Sequence, residues 1–431
     1  MKHALFVAFY YPPDATSSGV LRTLKYTQYL AEHGWRITVL SPHSSAYESV
    51  DEASTAQIPP NVKVVRTPFL NTRRHLSLRG RYLALTALPD AHIGWLPWAV
   101  AAGMRVARTD PFDLVYSTSP PATAHLIAWR VARRSRKPWV IDFRDPWFED
   151  IAEEGAPAGP LFRAIDRRLE AGVVAAANHV VSTTDNVRGL LMARYRSLPA
   201  DRFSVIANGY DERDFADLPT ASRSDTGHFT MVHAGSINPH FRDPIPLLAA
   251  LRRAADAGDL DPKRIRLRFL GGGPHAESSE LQQAISQYRL QDCVEVVKRM
   301  PYAEGLRELA AADVLVLLQA SEDTRALVPA KLYEYLRLGK PVLALTLAGE
   351  VSALLGRTAG GFAVDPGHVE QLALVLATLY RDWTSGTLSA HGANMDALKG
   401  YERRALTGEL AAIFAGLTSG DSPAAGHFTA K

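Results

Sequence analysis

Lys331 and Glu334 stand three residues apart in Ala326-Leu327-Val328-Pro329-Ala330-Lys331-Leu332-Tyr333-Glu334-Tyr335-Leu336, ahead of Gly339-Lys340-Pro341 and the apolar run Val342–Leu345. The stretch reads as a proline-opened loop, a short helix, a tight turn and a buried strand. Residues three apart share one helix face. A cation and a carboxylate thus emerge together from a helix whose N-terminus attracts anions. A phosphate flanked by hydroxyls, as in a nucleotide ribose, suits that pair, and an ordinary exposed ion pair has the same spacing.

Other reactive groups also follow apolar runs. Gly235 and Ser236 close one run, and Arg242 comes six residues later, before a helical pattern. An arginine fork there can hold a diphosphate, or it can be capped by Asp243. Tyr10–Gly19 follows the first run, with Arg22 one turn into the next helix; Gly19 lets backbone approach a phosphate or a sugar oxygen, or simply opens a capped helix. Asp142-Phe143-Arg144-Asp145-Pro146-Trp147 ends another run. There Asp145 can accept a proton or orient a hydroxyl, unless the charges form a salt-bridged corner. Gly271-Gly272-Gly273-Pro274 is a weak signal without the rest of a dinucleotide fingerprint. The backbone of Arg299-Met300-Pro301-Tyr302 can flank a base or form a surface turn. Arg73, Arg74, His75, Arg79 and Arg81 precede Leu83–Leu88, Trp95 and Trp98. Residues 73–98 therefore suit an acceptor groove or a peripheral membrane contact, or a solvated loop packed on the first domain. Metal-ligand spacings and a serine-nucleophile elbow are absent from the sequence.

The elements that must position these groups alternate throughout. Strands are expected at His3–Phe9, Arg36–Leu40, Val62–Thr67, Leu114–Ser117, Trp139–Asp142, His179–Ser182 and Ser204–Ile206, and again at Thr230–Ala234, Arg266–Leu270, Val294–Val297, Val314–Leu318 and Val342–Leu345. Helices are expected at Ser17–Glu32, Ala122–Arg134, Leu161–Ala176, Pro244–Asp256, Ser278–Tyr288, Ala303–Ala311, Pro329–Leu338 and His368–Trp383. Continuous apolar strands separated by helices specify parallel sheets covered on both faces. The expected fold is α/β, with two Rossmann-like, doubly wound parallel-sheet domains facing a central cleft. The first spans 1–217 and the second 228–384, with a hinge in the patternless segment 218–227. The C-terminal segment 385–417, with an amphipathic helix over 394–417, is expected to join the first domain, leaving 418–431 as a disordered tail. Ligands of such sheets lie beyond the carboxyl ends of the strands, where the constellations above fall.

Bulk properties narrow the class. At 431 residues the chain exceeds one ordinary core. Residues 1–215 carry 26 basic against 21 acidic side chains and the remainder 22 against 24, too even a balance for a nucleic-acid binder. A lone cysteine, Cys293, excludes an internal disulfide and points to a reducing compartment. The short apolar run Ala4–Phe9 lacks a cleavage site, and no apolar stretch reaches a membrane span of about 18 residues. A cytoplasmic protein, or one peripheral on the inner face of the cell membrane, is expected.

The order of Tyr10–Gly19, Asp142–Trp147, Asn208-Gly209-Tyr210, Gly235–Pro244, Gly271–Pro274 and Pro329–Leu345 resembles the retaining glycosyltransferases of family four on the GT-B fold, in an exopolysaccharide-type subfamily. The resemblance covers about residues 3–415. It implies a nucleotide-sugar donor, UDP-linked, held by the second domain. Glu334 would bind the ribose hydroxyls, Arg242 and Lys331 the diphosphate, and backbone near Arg299 the base. Gly19, Gly235 and Ser236 would lie close to the donor, and the amides of Leu327 and Val328 would meet sugar oxygens. The acceptor, a glycan, a lipid-linked sugar or a small molecule, would lie against the first domain beside Arg144 and Asp145. No cofactor or essential metal is implied, so cations and helix N-termini would stabilise the leaving diphosphate. Two positions depart from the family: Ala326 replaces a glutamate expected eight residues before Glu334, and Ser236 stands where an arginine is frequent. Glu322 or Asp323 could supply the missing carboxylate. A nucleotide-sugar epimerase and an inactive nucleotide-sugar or glycan-binding scaffold are the competing readings.

Overall fold

A computed structural model describes residues 1–16, 19–77, 82–147, 159–218 and 227–419. The chain divides into two compact units, Met1–Ala207 with the chain from Arg403 onward, and Asn208–Glu402.

The first unit is built on seven strands, β1 (Lys2–Ala8), β2 (Trp35–Pro42), β3 (Lys63–Thr67), β4 (Leu114–Ser119), β5 (Trp139–Phe143), β6 (His179–Ser182) and β7 (Phe203–Val205). They pair in parallel in the order β3-β2-β1-β4-β5-β6-β7. Every residue of β4 and β5 is buried, as expected of central strands covered on both faces. The register sets Phe6 opposite Tyr116, and the two rings meet at a tilt of 33° with centroids 4.3 Å apart. The last helix, Arg403–Thr418, belongs to this unit, and its Phe414 meets Phe6, Trp35 and Tyr116.

The second unit holds six parallel strands, β8 (Phe229–Ala234), β9 (Ile265–Leu270), β10 (Val294–Val297), β11 (Val314–Gln319), β12 (Val342–Thr346) and β13 (Gly361–Val364), ordered β10-β9-β8-β11-β12-β13. Its core joins Phe229, Phe269, Leu251 and Leu376. Each sheet therefore reverses direction beside its first strand, between β1 and β4 and between β8 and β11. Such switch points open crevices at the strand ends.

Several expectations need correction. The strand β13 and the helices Leu96–Thr109, Asp185–Arg194 and Glu350–Thr358 were not anticipated. Helix 394–417 is interrupted: a turn of helix, Met395–Leu398, and a 3-10 turn, Lys399–Tyr401, precede Arg403–Thr418. The Tyr401 carbonyl accepts from the Tyr210 amide at 3.0 Å, and Glu402 is extended, so the helical ladder cannot continue. Residues 208–217 and 385–402, expected with the first domain, lie in the second unit. The Asn208 side chain donates to the Val328 carbonyl at 3.2 Å, and Arg337 holds Glu212 at 2.7 and 2.6 Å. Thr418, placed in the tail, is still helical. Ser17, Arg79, Arg81, most of the expected linker and the tail from 420 lie outside the described residues.

Candidate functional site

The second unit gathers its candidates where β8 ends. Gly235 has φ +113°, in the region that favours glycine. Its amide donates to the Leu270 carbonyl at 2.8 Å, and Ile237 donates to Gly272 at 2.9 Å, so the loops after β8 and β9 are laced together. The helix Ala330–Arg337 docks onto Ala234 from both sides. Lys331 Nζ donates to the Ala234 carbonyl at 2.7 Å, and the Ala234 amide donates to the Tyr335 hydroxyl at 2.9 Å. Burial, then repulsion from Arg242, pushes Lys331 down to about 7 against the pull of Glu334. An ammonium so poised is easily restored by an incoming anion.

Arg242 Nη1 donates to Ser236 Oγ at 2.6 Å, and its guanidinium lies 5.1 Å from the Phe241 ring centroid. Asp243 accepts from the Ile245 amide at 2.9 Å, at the first residue of the following helix. Gly235, Ser236, Arg242 and Lys331 thus form one cationic corner, with the Ser236 hydroxyl held by Arg242. That chemistry suits a diphosphate.

Glu334, on the same helix, is only 8% exposed. Its Oε1 accepts from the Tyr302 hydroxyl at 2.9 Å. Arg299, exposed after β10, passes the Gly271 turn, where a Cβ would lie 3.7 Å from Arg299 Cα. The loop before Lys331 is only partly as expected. The Leu327 amide, expected to meet sugar oxygens, donates to the Thr324 carbonyl at 3.1 Å, so the turn already uses it. Gln319 braces this turn by donating to the carbonyls of Thr324 and Leu327. Ala326 is buried, and Glu322 is exposed and paired with Arg325 at 2.7 Å. Asp323 is exposed as well.

In the first unit, Asp142 and Arg22 form a buried fork, with Nε and Nη2 at 2.9 and 2.8 Å from the two carboxylate oxygens. Arg22 also donates to the carbonyls of Ile206 and Ala207, while Tyr116 and Thr118 donate to Asp142. Burial would raise the Asp142 pKa, but Arg22 pulls it below the usual carboxylate range. This pair is the salt-bridged corner, and it ties β5 to the end of the first unit's sheet. Arg144 donates to the Ser119 carbonyl at 2.8 Å and lies 5.9 Å from the Tyr10 ring. A Cβ on Gly19 would overlap its guanidinium, so Gly19 accommodates Arg144. Burial raises the Asp145 carboxyl, Arg144 opposes that rise and Asp142 adds to it.

Three groups near these residues were not anticipated. Asp90 accepts from the amide and hydroxyl of Thr123 at 2.8 and 2.7 Å. His125 is buried with Nδ1 2.8 Å from Ser117 Oγ, and burial pushes it down to about 3. Its Nε2 and Ser119 Oγ are buried without a hydrogen-bond partner among the described residues. All are tertiary contacts with no spacing to reveal them. Among the described residues, no group of three His, Cys, Asp or Glu side chains could hold a metal ion, and no helix is long and apolar enough to cross a membrane.

Comparison with known proteins agrees with this architecture. Residues 19–209 match the glycosyl transferase 4-like domain, and residues 228–382 match the glycosyl transferases group 1. No protein of curated function matches the sequence. Among solved structures, Anabaena HepE in complex with UDP and glucose is 18% identical, with TM-score 0.67 over 96% of this chain and 100% of that one. Sucrose-phosphate synthase from Thermosynechococcus elongatus is 14% identical, with TM-score 0.67 over 97% and 99%. WaaG, a glycosyltransferase involved in lipopolysaccharide biosynthesis, is 16% identical, with TM-score 0.61 over 96% and 100%. With matches to both halves in their proper order and neighbours spanning the whole length, the chain belongs to the group 1 glycosyltransferases of the GT-B fold.

Proposed function

We propose that this chain is a retaining, metal-independent glycosyltransferase. It takes a sugar from a UDP-linked donor and passes it to a glycan, lipid-linked or small-molecule acceptor in the synthesis of cell-surface or extracellular polysaccharide. The observation that carries the reading is the helix Ala330–Arg337, which presents Lys331 against the Ala234 carbonyl and Glu334 one turn later. In this reading Glu334 binds the ribose hydroxyls. Lys331 and Arg242, with the Gly235–Ser236 turn, take the charge that develops on the diphosphate as the glycosidic bond breaks. Backbone near Arg299 meets the base and the Val328 amide a sugar oxygen. On the first unit, Asp145, aligned beside Arg144, orients the acceptor hydroxyl whose oxygen forms the new bond. HepE has been crystallised with UDP-glucose, which supports UDP as the first donor to try.

The protein is proposed to act in the cytoplasm, touching the inner membrane face through residues 73–98. There Leu76, Leu83 and Trp98 are 48, 77 and 36% exposed, near Arg73 and Arg74. Nucleic acid has no place in this reading. The test is a thermal-shift panel of UDP-, GDP- and ADP-sugars, because a bound ligand raises apparent stability. Turnover of the best donor then follows, with and without a chelator, with the product anomer read by NMR. Stabilisation by none of these donors, inversion at the anomeric carbon, or loss of turnover in chelator would each remove the corresponding part of the proposal. A binding scaffold is the second reading, favoured by the buried methyl of Ala326 where the family has a carboxylate. It predicts donor binding without consumption.

A further inference from the structure

We propose that Tyr302 is a positioning residue for the ribose-binding carboxylate and thereby sets the preference for ribonucleotides; this rests on the nucleotide reading of Glu334. Tyr302 opens the helix Tyr302–Ala311, just beyond the end of β10. Its ring is 44% exposed, so it does not serve as core filling. Its hydroxyl is nevertheless fixed: it donates to Glu334 Oε1 at 2.9 Å, with Asp214 Oδ2 farther off at 3.4 Å. A phenol has one hydrogen to give, and the shorter contact is the better hydrogen bond. The bond therefore goes to Glu334, and Asp214 marks the other side of the same oxygen.

The consequence lies in the last torsion of the glutamate. That sp³–sp² rotor is broad when nothing holds it, yet two vicinal hydroxyls can pair with both oxygens only when the carboxylate plane is turned toward them. The Tyr302 hydroxyl restrains that plane through its bond to Oε1. The helix itself is anchored at its C-terminal end, where Arg337 pairs with Glu212 and lies 5.1 Å from the Phe215 ring. A carboxylate held in this way loses little freedom when it binds two hydroxyls, which is how preorganisation strengthens binding. A ligand without the diol gains nothing from it.

The experiment is calorimetry on the full chain, wild type and Tyr302→Phe, with UDP, GDP, ADP and the 2′,3′-dideoxy form of each. Wild type is expected to bind at least one ribonucleotide about tenfold or more tighter than its dideoxy form. In Tyr302→Phe that ratio is expected to fall at least about threefold, with dideoxy affinity unchanged, because the carboxylate must then be ordered as the diol binds. A variant with the wild-type ratio, or one that binds the ribonucleotide more tightly, overturns the role of Tyr302 while leaving the ribose site intact. A wild type that does not distinguish the two forms, or binds no diphosphate, removes the ribose site and Tyr302 with it.

Discussion

Lys331 occupies the space that a side chain on Gly235 would need: a Cβ built there would lie 2.7 Å from the lysine Nζ, which itself donates to the neighbouring Ala234 carbonyl. One turn along, Tyr335 accepts from the Ala234 amide, so a single residue at the end of β8 is gripped by two positions four apart on one helix. The cationic corner is thus a product of docking the helix onto the strand end, and both backbone and side chain at 235 matter.

Gly235→Ala separates these effects. Nζ is the end of a flexible chain and can move aside, so the stability cost comes from placing alanine at φ +113°, about 1–3 kcal/mol. Moving Nζ also takes it from its anchor, and nucleoside diphosphate affinity should fall at least about tenfold, the loss of one charge-assisted hydrogen bond. Denaturant titration and calorimetry on the same variant read the two losses. Unchanged affinity would show that the lysine position is unimportant to binding.

Lys331 also predicts a pH dependence. Its folded pKa of about 7 lies below its ordinary 10.5, so between those values the unfolded chain holds the proton that the folded one has released. Stability from this group therefore rises with pH from about 7 to 10.5. Arg242 and the buried, neutral His233 face it without supplying negative charge, and Glu334 offsets them in part. A bound diphosphate restores the ammonium, so binding near pH 8 should take up a proton and weaken as pH rises. Calorimetry in buffers of different ionisation enthalpy counts that proton, and Lys331→Met should abolish the uptake.

The sheets were legible in the sequence because buried parallel strands are continuous apolar runs, as in Leu315–Leu318 of β11. The edge strand β13 escaped because it opens on Gly361 and exposes Ala363, leaving too little apolar pattern. The helix Asp185–Arg194 did carry a signal, Thr184 capping the Val187 amide. Within the candidate site, Lys331 and Glu334 were readable because helical spacing puts them on one face. The partners of that face were not: Tyr302 lies 32 residues from Glu334, and Tyr335 is 101 from Ala234. Such contacts are created by sheet order, which periodicity does not encode. Gly19 shows the reverse, a glycine read as room for ligand that the fold fills with Arg144.

The Arg22–Asp142 fork should behave as architecture. Both groups are buried, and removing one partner leaves a charge with no counterion in a low-dielectric interior. Asp142→Asn or Arg22→Met is therefore expected to destabilise the first unit by about 3–5 kcal/mol, and the double variant by less than the sum. Denaturant unfolding followed by tryptophan fluorescence measures all three. Strict additivity would mean that the two side chains do not depend on each other.

Asp145 should behave in the opposite way. Burial holds its folded pKa above the ordinary 3.8, against the attraction of Arg144 and aided by Asp142. A carboxyl with a raised pKa contributes stability below its unfolded value and loses it as pH rises through the folded one. At pH 7, above the unfolded value, this half-buried side chain is then a net liability to the fold. Asp145→Asn keeps the shape and removes that charge, so it should melt at the wild-type temperature or above it at pH 7, with the advantage vanishing below about pH 4. If Asp145 orients the acceptor hydroxyl, the same variant should lose on the order of a hundredfold in kcat while donor affinity stays unchanged. Thermal melts across pH and single-turnover assays together decide the point. A variant that is destabilised at pH 7 would identify Asp145 as structural, and one that is stable and fully active would remove it from the acceptor site.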